Sequence, residues 1–297
     1  MTNAPEILCI GSALWDVIGR TFSDMKPGND VPGRITRIPG GVALNIAITL
    51  GRFGMRPVLL SAIGQDPEGE ELIGRCEGFG IDTRHVYRSE DLPTDVYMAV
   101  EAPAGLIAAI ADAHSLETAG SRILTPLLDG SLGSAEVPYA GQIALDGNLT
   151  DRLLTDIAQN PAFAAADLRI APASPGKAER LRPFLSAKRG TLYVNLEEAG
   201  LLCDCSFRSA PEAATKLIER GARRAVVTHG SETCCDATED ALIAERPPQV
   251  NVTRITGAGD TFMAAHIAGE RRGLSREEAL DFALETAAAH VSGEISL

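Results

Sequence analysis

The residues with the clearest chemical potential lie between positions 251 and 270, in the sequence NVTRITGAGDTFMAAHIAGE. A strand-like run meets Gly257, Ala258 and Gly259, and the pattern predicts that a helix begins there. Small residues let the backbone approach a bound group closely, and the free N–H groups at a helix start favour negative charge. Asp260 could accept a proton from an attacking hydroxyl while those N–H groups stabilise a phosphoryl group in transfer. The alternative is that Asp260 only caps the helix, as aspartate commonly does.

Two further motifs carry residues suited to binding hydroxyl groups. In PGGVALN, at positions 39–45, Gly40 and Gly41 let a ligand lie against the backbone, and Asn45 offers a donor and an acceptor. In GSALWD, Asp16 lies just past the first predicted strand and could bind two sugar hydroxyls. The alternatives are a tight turn with an ordinary polar helix residue and a turn or cap aspartate. The dinucleotide-binding pattern G-x-G-x-x-G is absent after the first predicted strand.

The elements that must position these motifs are short apolar runs alternating with amphipathic stretches. Buried strands are predicted at 7–10, 58–61, 143–145, 192–194 and 225–228. Helices are predicted after Gly41 up to Gly54, at 212–220 and at 276–290. This alternation predicts an α/β fold with a mostly parallel central sheet that helices cover on both faces. Ligands in such folds bind beyond the carboxyl ends of the strands.

Two stretches depart from this rhythm and predict a small separate sheet. Residues 33–38 alternate basic with apolar side chains. Residues 94–101 and 106–111 flank a turn at 102–105 that contains proline and glycine, which predicts a hairpin. Such a sheet could cover an active site as a lid. We therefore expect one domain over 1–297, with lid segments at about 13–38 and about 92–114 inserted in it.

The composition limits the classes of partner. Forty acidic and 27 basic residues give a formal net charge of −13, so nucleic acid and membrane surfaces are not expected partners. No apolar run approaches the roughly 20 residues of a spanning helix, and residues 1–6 do not resemble a secretory signal. The six cysteines lack the spacing of a zinc site, so we expect free thiols in a reducing cytoplasm.

In order and spacing, the three motifs resemble those of the ribokinase-like sugar and nucleoside kinases, the PfkB carbohydrate kinases. Three further matches extend the resemblance over nearly the whole chain. They are G-x-D-x-x-G at 64–69, N-x-x-E at 195–198 and T-x-G at 228–230. The GAGD segment is the most specific match, and the others follow in the expected order.

The resemblance implies a role for each matching residue. Asp260 would be the catalytic base, and Gly257, Ala258 and Gly259 would supply the N–H groups that stabilise the anion. The sugar would be held by Asp16, Gly40, Gly41 and Asn45. ATP would be contacted by Asn195, Thr228 and Gly230, and Glu198 with Asn195 would organise Mg²⁺ and its waters, in keeping with the preference of Mg²⁺ for few carboxylates and several waters.

The chain also departs from the family pattern. Thr233 replaces a glycine that usually follows T-x-G, which alters the nucleotide loop. Arg254 stands six residues before Asp260, where many relatives carry an aspartate or asparagine associated with a monovalent cation. A fixed positive charge there argues against potassium activation. The end at Leu297 would shorten the C-terminal nucleotide contacts.

Within the family, residues 29–64 and the hairpin ending at Asp112 look most like pseudouridine kinases, which phosphorylate a ribosyl 5′-hydroxyl. Asp112 could face the substrate or lie in solvent on the lid. A ribokinase, fructokinase or adenosine kinase relative is the alternative with the same chemistry. A catalytically silent regulator is the third reading, but sensing requires no base at Asp260. The resemblance also implies a homodimer formed through the lid, because exposed strand edges tend to be covered.

Overall fold

The computed structural model describes residues 7–26, 28–103 and 105–294. Its main sheet has eight strands in the order β14-β13-β12-β11-β10-β9-β1-β4. Their bounds are β1 Ile7–Ile10, β4 Pro57–Leu60, β9 Gln142–Asp146, β10 Asp167–Ala171, β11 Thr191–Asn195, β12 Arg224–Thr228, β13 Cys234–Ala237 and β14 Leu242–Glu245. The six adjacent strands β12, β11, β10, β9, β1 and β4 run parallel to one another. β13 runs antiparallel to β12, and β14 runs antiparallel to β13.

Helices cover both faces of this sheet. Their bounds are α1 Val42–Arg52, α2 Pro67–Gly78, α3 His114–Ala119, α4 Asp151–Gln159, α5 Arg182–Ser186, α6 Leu196–Cys203, α7 Ala210–Glu219, α8 Ala258–Arg271 and α9 Arg276–Ser292. Short 3₁₀ turns lie at Gly120–Leu127, Pro161–Phe163 and Pro175–Leu181. Among the described helices, none is long and apolar enough to cross a membrane.

The alternation of side chains along β1 shows why both faces are covered. Leu8 and Ile10 pack in one hydrophobic cluster, whereas Ile7 and Cys9 pack in the other. Successive side chains of a strand point to opposite faces, so an all-apolar strand must be covered on both sides. The predicted α/β fold with a mostly parallel sheet is confirmed.

A second sheet of four strands lies apart from the main one, in the order β3-β2-β7-β8. Its bounds are β2 Leu14–Arg20, β3 Arg34–Gly40, β7 Val96–Ala102 and β8 Gly105–Asp112. β2 pairs with β3 in antiparallel and with β7 in parallel orientation. This confirms the small lid sheet, and its strands bring Asp16 and Tyr97 to the cleft described below. A parallel pair, β5 Ala62–Gly64 and β6 Tyr87–Ser89, forms a third small sheet.

The five predicted strands, the three predicted helices and the helix predicted to begin near Gly259 are all present, with ends within a few residues of the expected ones. The strand-like run predicted before Gly257 is wrong, because none of the described residues between β14 and α8 forms a strand. The strands β10, β13 and β14 of the main sheet and the small pair β5 and β6 were not predicted. All six cysteines are free, as expected. The expectations placed on residues 1–6, on position 104 of the hairpin turn and on the chain end at 297 lie outside the described residues. The single-domain boundaries stay a prediction.

Candidate active site

The start of α8 presents unpaired backbone donors. Gly257 caps the helix in a left-handed conformation with φ +79°, which glycine adopts without steric cost. The N–H of Ala258 donates to the carbonyl of Ile255 at 3.1 Å. Over the described ranges, no acceptor engages the N–H groups of Gly257 and Gly259. The first turn of α8 therefore offers these two donors, together with the positive end of the helix dipole, to an anion.

Asp260 lies in the same turn, with its carboxylate in the cleft. Its Oδ2 accepts a hydrogen bond of 2.9 Å from Nδ2 of Asn45, which α1 presents from its buried face. Burial raises the pKa of Asp260 to about 7, and the negative charges of Asp146, Asp16 and Glu198 add to the rise while the Asn45 bond opposes it. A carboxylate that titrates near neutrality suits a general base at physiological pH.

Asp16 reaches the cleft from β2, and Gly40 leaves the space for it. A Cβ built on Gly40 would lie 2.2 Å from Oδ2 of Asp16, so any side chain at position 40 would displace the carboxylate. Burial raises the pKa of Asp16 to about 6. Gly40 does not line the cleft, whereas its neighbour Gly41 does. The lack of a side chain at Gly40 therefore makes room for the Asp16 carboxylate.

A polar wall that the motif analysis did not assign faces this cleft. Ser12 N–H donates to Oδ2 of the fully buried Asp146 at 2.8 Å, and Nδ2 of Asn148 donates to the Ser12 hydroxyl at 2.9 Å. Lys177 Nζ donates to Oδ1 of Asn148. Burial lowers the pKa of Lys177, and the charge of Arg180 lowers it further. Ser12, Asn148 and Lys177 line the cleft, and Lys177 is the one basic side chain among the described lining residues.

Asn195 and Glu198 form a reciprocal cap at the start of α6. Oδ1 of Asn195 accepts the Glu198 N–H at 2.9 Å, and Oε2 of Glu198 accepts the Asn195 N–H at 2.8 Å. Burial raises the pKa of Glu198 to about 7, and the charge of Glu197 contributes. The second carboxylate oxygen of Glu198 has no hydrogen bond within the described ranges. This carboxylate, without a cationic partner, fits a role beside Mg²⁺ that keeps most of its waters.

Together these residues enclose a cleft of about 590 Å³ at the carboxyl ends of the parallel strands. The predicted residues that line it are Asp16, Gly41, Asn45, Asn195, Glu198, Thr228, Gly257, Ala258, Gly259 and Asp260. A more open pocket of about 810 Å³ adjoins it, and Asn195 and Thr228 line both. Gly230 lines only this second pocket. No group of three or more potential metal ligands occurs in the described part of the chain.

Asp112 is placed differently from the other predicted residues. Its side chain is 58% exposed and pairs with His114, with 2.7 Å between Oδ1 and Nδ1. The neighbouring Ala111 and Ala113 line the cleft, but Asp112 does not. Its predicted contact with substrate therefore needs movement of the lid.

The pattern of the family described as pfkB family carbohydrate kinase matches residues 4–294. The chain belongs to this family. It is similar to a pseudouridine kinase of Escherichia coli, with 27% identity over 89% of this chain and 83% of the relative. It is also similar to a guanosine-inosine kinase of Exiguobacterium acetylicum, with 26% identity over 95% of this chain and 93% of the relative.

The fold comparison agrees with this assignment. The structure of Arabidopsis thaliana ribokinase, solved with ribose and ATP, aligns with a TM-score of 0.76, covering 97% of this chain and 93% of that chain at 20% identity. Since the identity is low, this likeness establishes the ribokinase-like fold alone. The pfkB kinase is therefore a phosphotransferase of the sugar and nucleoside kinase class, and its cleft lies where ligands bind in α/β folds.

Proposed function

We propose that this pfkB kinase transfers the γ-phosphoryl group of ATP to the 5′-hydroxyl of a nucleoside, with pseudouridine as the preferred acceptor. The observation that carries the proposal is the position of Asp260, whose carboxylate lies in the cleft within one helical turn of unpaired N–H groups. A base and anion donors in one turn meet the two needs of phosphoryl transfer to an alcohol.

In the proposed reaction, Asp260 takes the proton of the acceptor hydroxyl as its oxygen forms a bond to the γ-phosphorus. The bond between that phosphorus and the bridging oxygen breaks, and ADP leaves. The N–H groups of Gly257 and Gly259 stabilise charge on the phosphoryl oxygens. Asn45 fixes the orientation of the Asp260 carboxylate through its 2.9 Å hydrogen bond.

The charge of the site supports a need for a divalent cation. Four carboxylates, those of Asp16, Asp146, Glu198 and Asp260, interact across it, and they would repel a triphosphate. Glu198, with Asn195, would hold Mg²⁺ through its waters where the cleft meets the adjoining pocket. Thr228, which lines both, and Gly230, which lines the adjoining pocket, would contact the nucleotide there. When bound, Mg²⁺ neutralises phosphate charge and orients the phosphates.

The preference for a nucleoside over a free sugar rests on the two ends of the cleft. Asp16 and Asn45 offer groups for ribose hydroxyls near Asp260, while Tyr97 on the lid presents a partly exposed ring. Lys177 also lines the cleft, and its ammonium group has donors beyond the one it gives to Asn148, which can reach a carbonyl oxygen. An aromatic face combined with donors suits a planar base that carries carbonyl groups. Similarity to a pseudouridine kinase and a guanosine-inosine kinase supports this class.

The test is ADP release with ATP, Mg²⁺ and a panel of pseudouridine, uridine, adenosine, ribose and fructose. We expect the highest kcat/KM for pseudouridine, with the 5′-monophosphate as product. If a free hexose gave the highest value, the nucleoside assignment would be wrong although the kinase class would stand.

A variant pair sharpens the assignment of the base-binding end. Lys177→Met should lower kcat/KM for pseudouridine by about tenfold, the order of a lost hydrogen bond to a charged donor, and leave ribose almost unaffected. Lys216→Met, which changes an exposed lysine paired with Glu219 on α7, is the matched control. Equal losses for pseudouridine and ribose would remove Lys177 from base recognition.

A further inference from the structure

The segment that leads into the anion-binding turn is fastened to the last turn of α9. Thr253 N–H donates to the carbonyl of Val291 at 2.8 Å, and the Thr253 hydroxyl donates to the same oxygen at 3.1 Å. Arg254 N–H donates to that carbonyl as well, at 3.3 Å. His290 and the Thr256 carbonyl are joined by a contact of 2.9 Å at Nε2. The position of Gly257 and its neighbours therefore depends on the end of α9.

Among the described residues that join the 253–256 segment to the end of α9, Arg254 is the one with a fixed charge. Its Nε donates to the carbonyl of His290 at 2.8 Å, and its Nη2 is buried without an acceptor over the described ranges. No ion pair joins Arg254 to a carboxylate in the described part of the chain, where its side chain donates to the His290 carbonyl. The guanidinium thus lies against the C-terminal carbonyls of α9, the negative end of that helix dipole, where a cation is stabilised.

Backbone carbonyl oxygens are also the ligands that proteins commonly offer to a monovalent cation. The carbonyls of His290 and Val291 already accept hydrogen bonds from Arg254, from Thr253 and, for His290, from the N–H of Gly293. His290 is buried and its Nδ1 has no partner among the described residues, and the charges of Arg254 and Arg52 oppose its protonation. Saturated carbonyls beside a fixed guanidinium do not fit a second cation, because the two positive charges would repel each other.

We propose that Arg254 is a built-in cation, a positioning residue that holds the 253–256 segment and the adjoining anion-binding turn without any bound monovalent cation. This inference rests on the proposed kinase function, since the turn it holds is the one that stabilises the phosphoryl group. It adds a prediction about how the site is regulated, namely that the rate of the reaction should not respond to potassium.

The first experiment measures kcat for wild-type protein while tetramethylammonium chloride is replaced by potassium chloride at constant ionic strength. We expect no change in kcat. A wild-type enzyme that requires potassium, or is strongly activated by it, would overturn the inference and leave the kinase function intact. Absence of turnover with every acceptor would instead contradict the proposed function, and the melting temperature then decides the inference. A wild-type Tm that rises when potassium replaces tetramethylammonium would overturn it, and an unchanged Tm would support it.

The second experiment separates positioning from packing. Arg254→Ala in tetramethylammonium should lower kcat by about tenfold or more, because a small misplacement of anion donors is costly in phosphoryl transfer. Millimolar guanidinium or potassium should restore part of the loss by entering the vacated space. Arg254→Met fills that space, so it should lose activity without rescue.

Arg52→Ala is the matched control. Arg52 is an exposed residue at the end of α1. Desolvation and the charge of Arg254 lower its pKa, so it lies in the same field, and no hydrogen bond joins it to the 253–256 segment in the described structure. It should keep wild-type kcat and show no cation response. Full activity of Arg254→Ala in tetramethylammonium, or rescue of Arg254→Met equal to that of Arg254→Ala, would contradict the built-in cation.

Discussion

Removal of Asn45 should move the pH dependence of the reaction in a defined direction. Asn45 Nδ2 donates to Oδ2 of Asp260 at 2.9 Å, and this bond favours the ionised carboxylate. A hydrogen bond to a charged group contributes about 1.5–3 kcal/mol. Because about 1.4 kcal/mol corresponds to one pH unit, Asn45→Ala should raise the pKa of Asp260 from its value of about 7. We expect the acid limb of the kcat profile to move upward by about one pH unit, the lower part of that range, since the cleft opens to solvent.

The sign follows from the role of Asp260 as a base. The base acts only when ionised, so activity falls as the pH falls through its pKa, and a higher pKa carries that fall to higher pH. The assay is kcat at saturating ATP and acceptor across the neutral range, so that weaker binding of the acceptor does not enter. Asn160→Ala is the matched control, because Asn160 accepts a hydrogen bond from the Ala162 N–H and does not line the cleft. An acid limb that stays in place in Asn45→Ala would refute the assignment of this hydrogen bond.

Three further outcomes follow from the same contacts. At a pH above about 7, Asp260→Asn should have a higher melting temperature than the wild type. The folded-state pKa of Asp260 is about 7, above its unfolded value of about 4, so the wild type loses folding stability as the pH rises between these two values. Thermal unfolding of both proteins at mildly alkaline pH measures the difference. Glu270→Gln should lower the free energy of unfolding in denaturant by about 2 kcal/mol, because Arg169 and Arg224 lose the charged partner that they share on α8 while each keeps one aspartate. Gly40→Ala should raise the KM for the acceptor by a larger factor than it lowers kcat. The new Cβ would lie 2.2 Å from Oδ2 of Asp16 and would displace this carboxylate, which is proposed to bind the acceptor.

Two of these variants have a matched control in the chain, and the third has a result that would contradict it. Glu219→Gln removes an exposed ion pair with Lys216 and should change unfolding by less than about 1 kcal/mol, so a similar loss there would contradict the account of Glu270. Gly74→Ala lies inside α2 with open space around it, and it should leave KM unchanged. If Asp260→Asn destabilised the protein at mildly alkaline pH, burial would not be what raises the pKa of Asp260.

The sequence predicted the chemistry-bearing turn well because its signal is local. Gly257 to Asp260 at the start of a helix indicate both the donors and the base, and the structure places them in one cleft with Asp16 and Asn45. The lid was also predictable, because period-2 alternation and a turn with proline and glycine mark strands independently of tertiary contacts.

The other wall of the cleft was not predictable in the same way. Lys177 follows β10, and β10 escaped prediction because it carries Asp167 and Arg169 in an otherwise apolar run. The charge of Arg169 is compensated locally by Asp167 on the same strand, at 2.7 Å, and also by Glu270, which lies 101 residues further along the chain. Asp146 likewise reaches its partner Ser12 across 134 residues of sequence. Contacts of this kind carry no sequence period.

The role of Gly40 shows a second limit. The motif suggested contact between its backbone and a ligand, whereas the structure places the Asp16 carboxylate in the space above it. Absence of a side chain can serve a ligand or a neighbouring residue, and sequence alone does not separate the two. Asp112 is exposed because successive side chains of a strand point to opposite faces, and its neighbours Ala111 and Ala113 line the cleft. The sequence did not show which face of β8 is turned to the cleft.

The most direct measurement of the central claim is single-turnover phosphoryl transfer by Asp260→Asn with pseudouridine, together with its affinity for ATP. Asparagine keeps the shape of the side chain and can still accept the hydrogen bond from Asn45, but it cannot take a proton. We expect the transfer rate to fall by about 100- to 10,000-fold while the affinity for ATP stays close to that of the wild type. A transfer rate near that of the wild type would contradict Asp260 as the base.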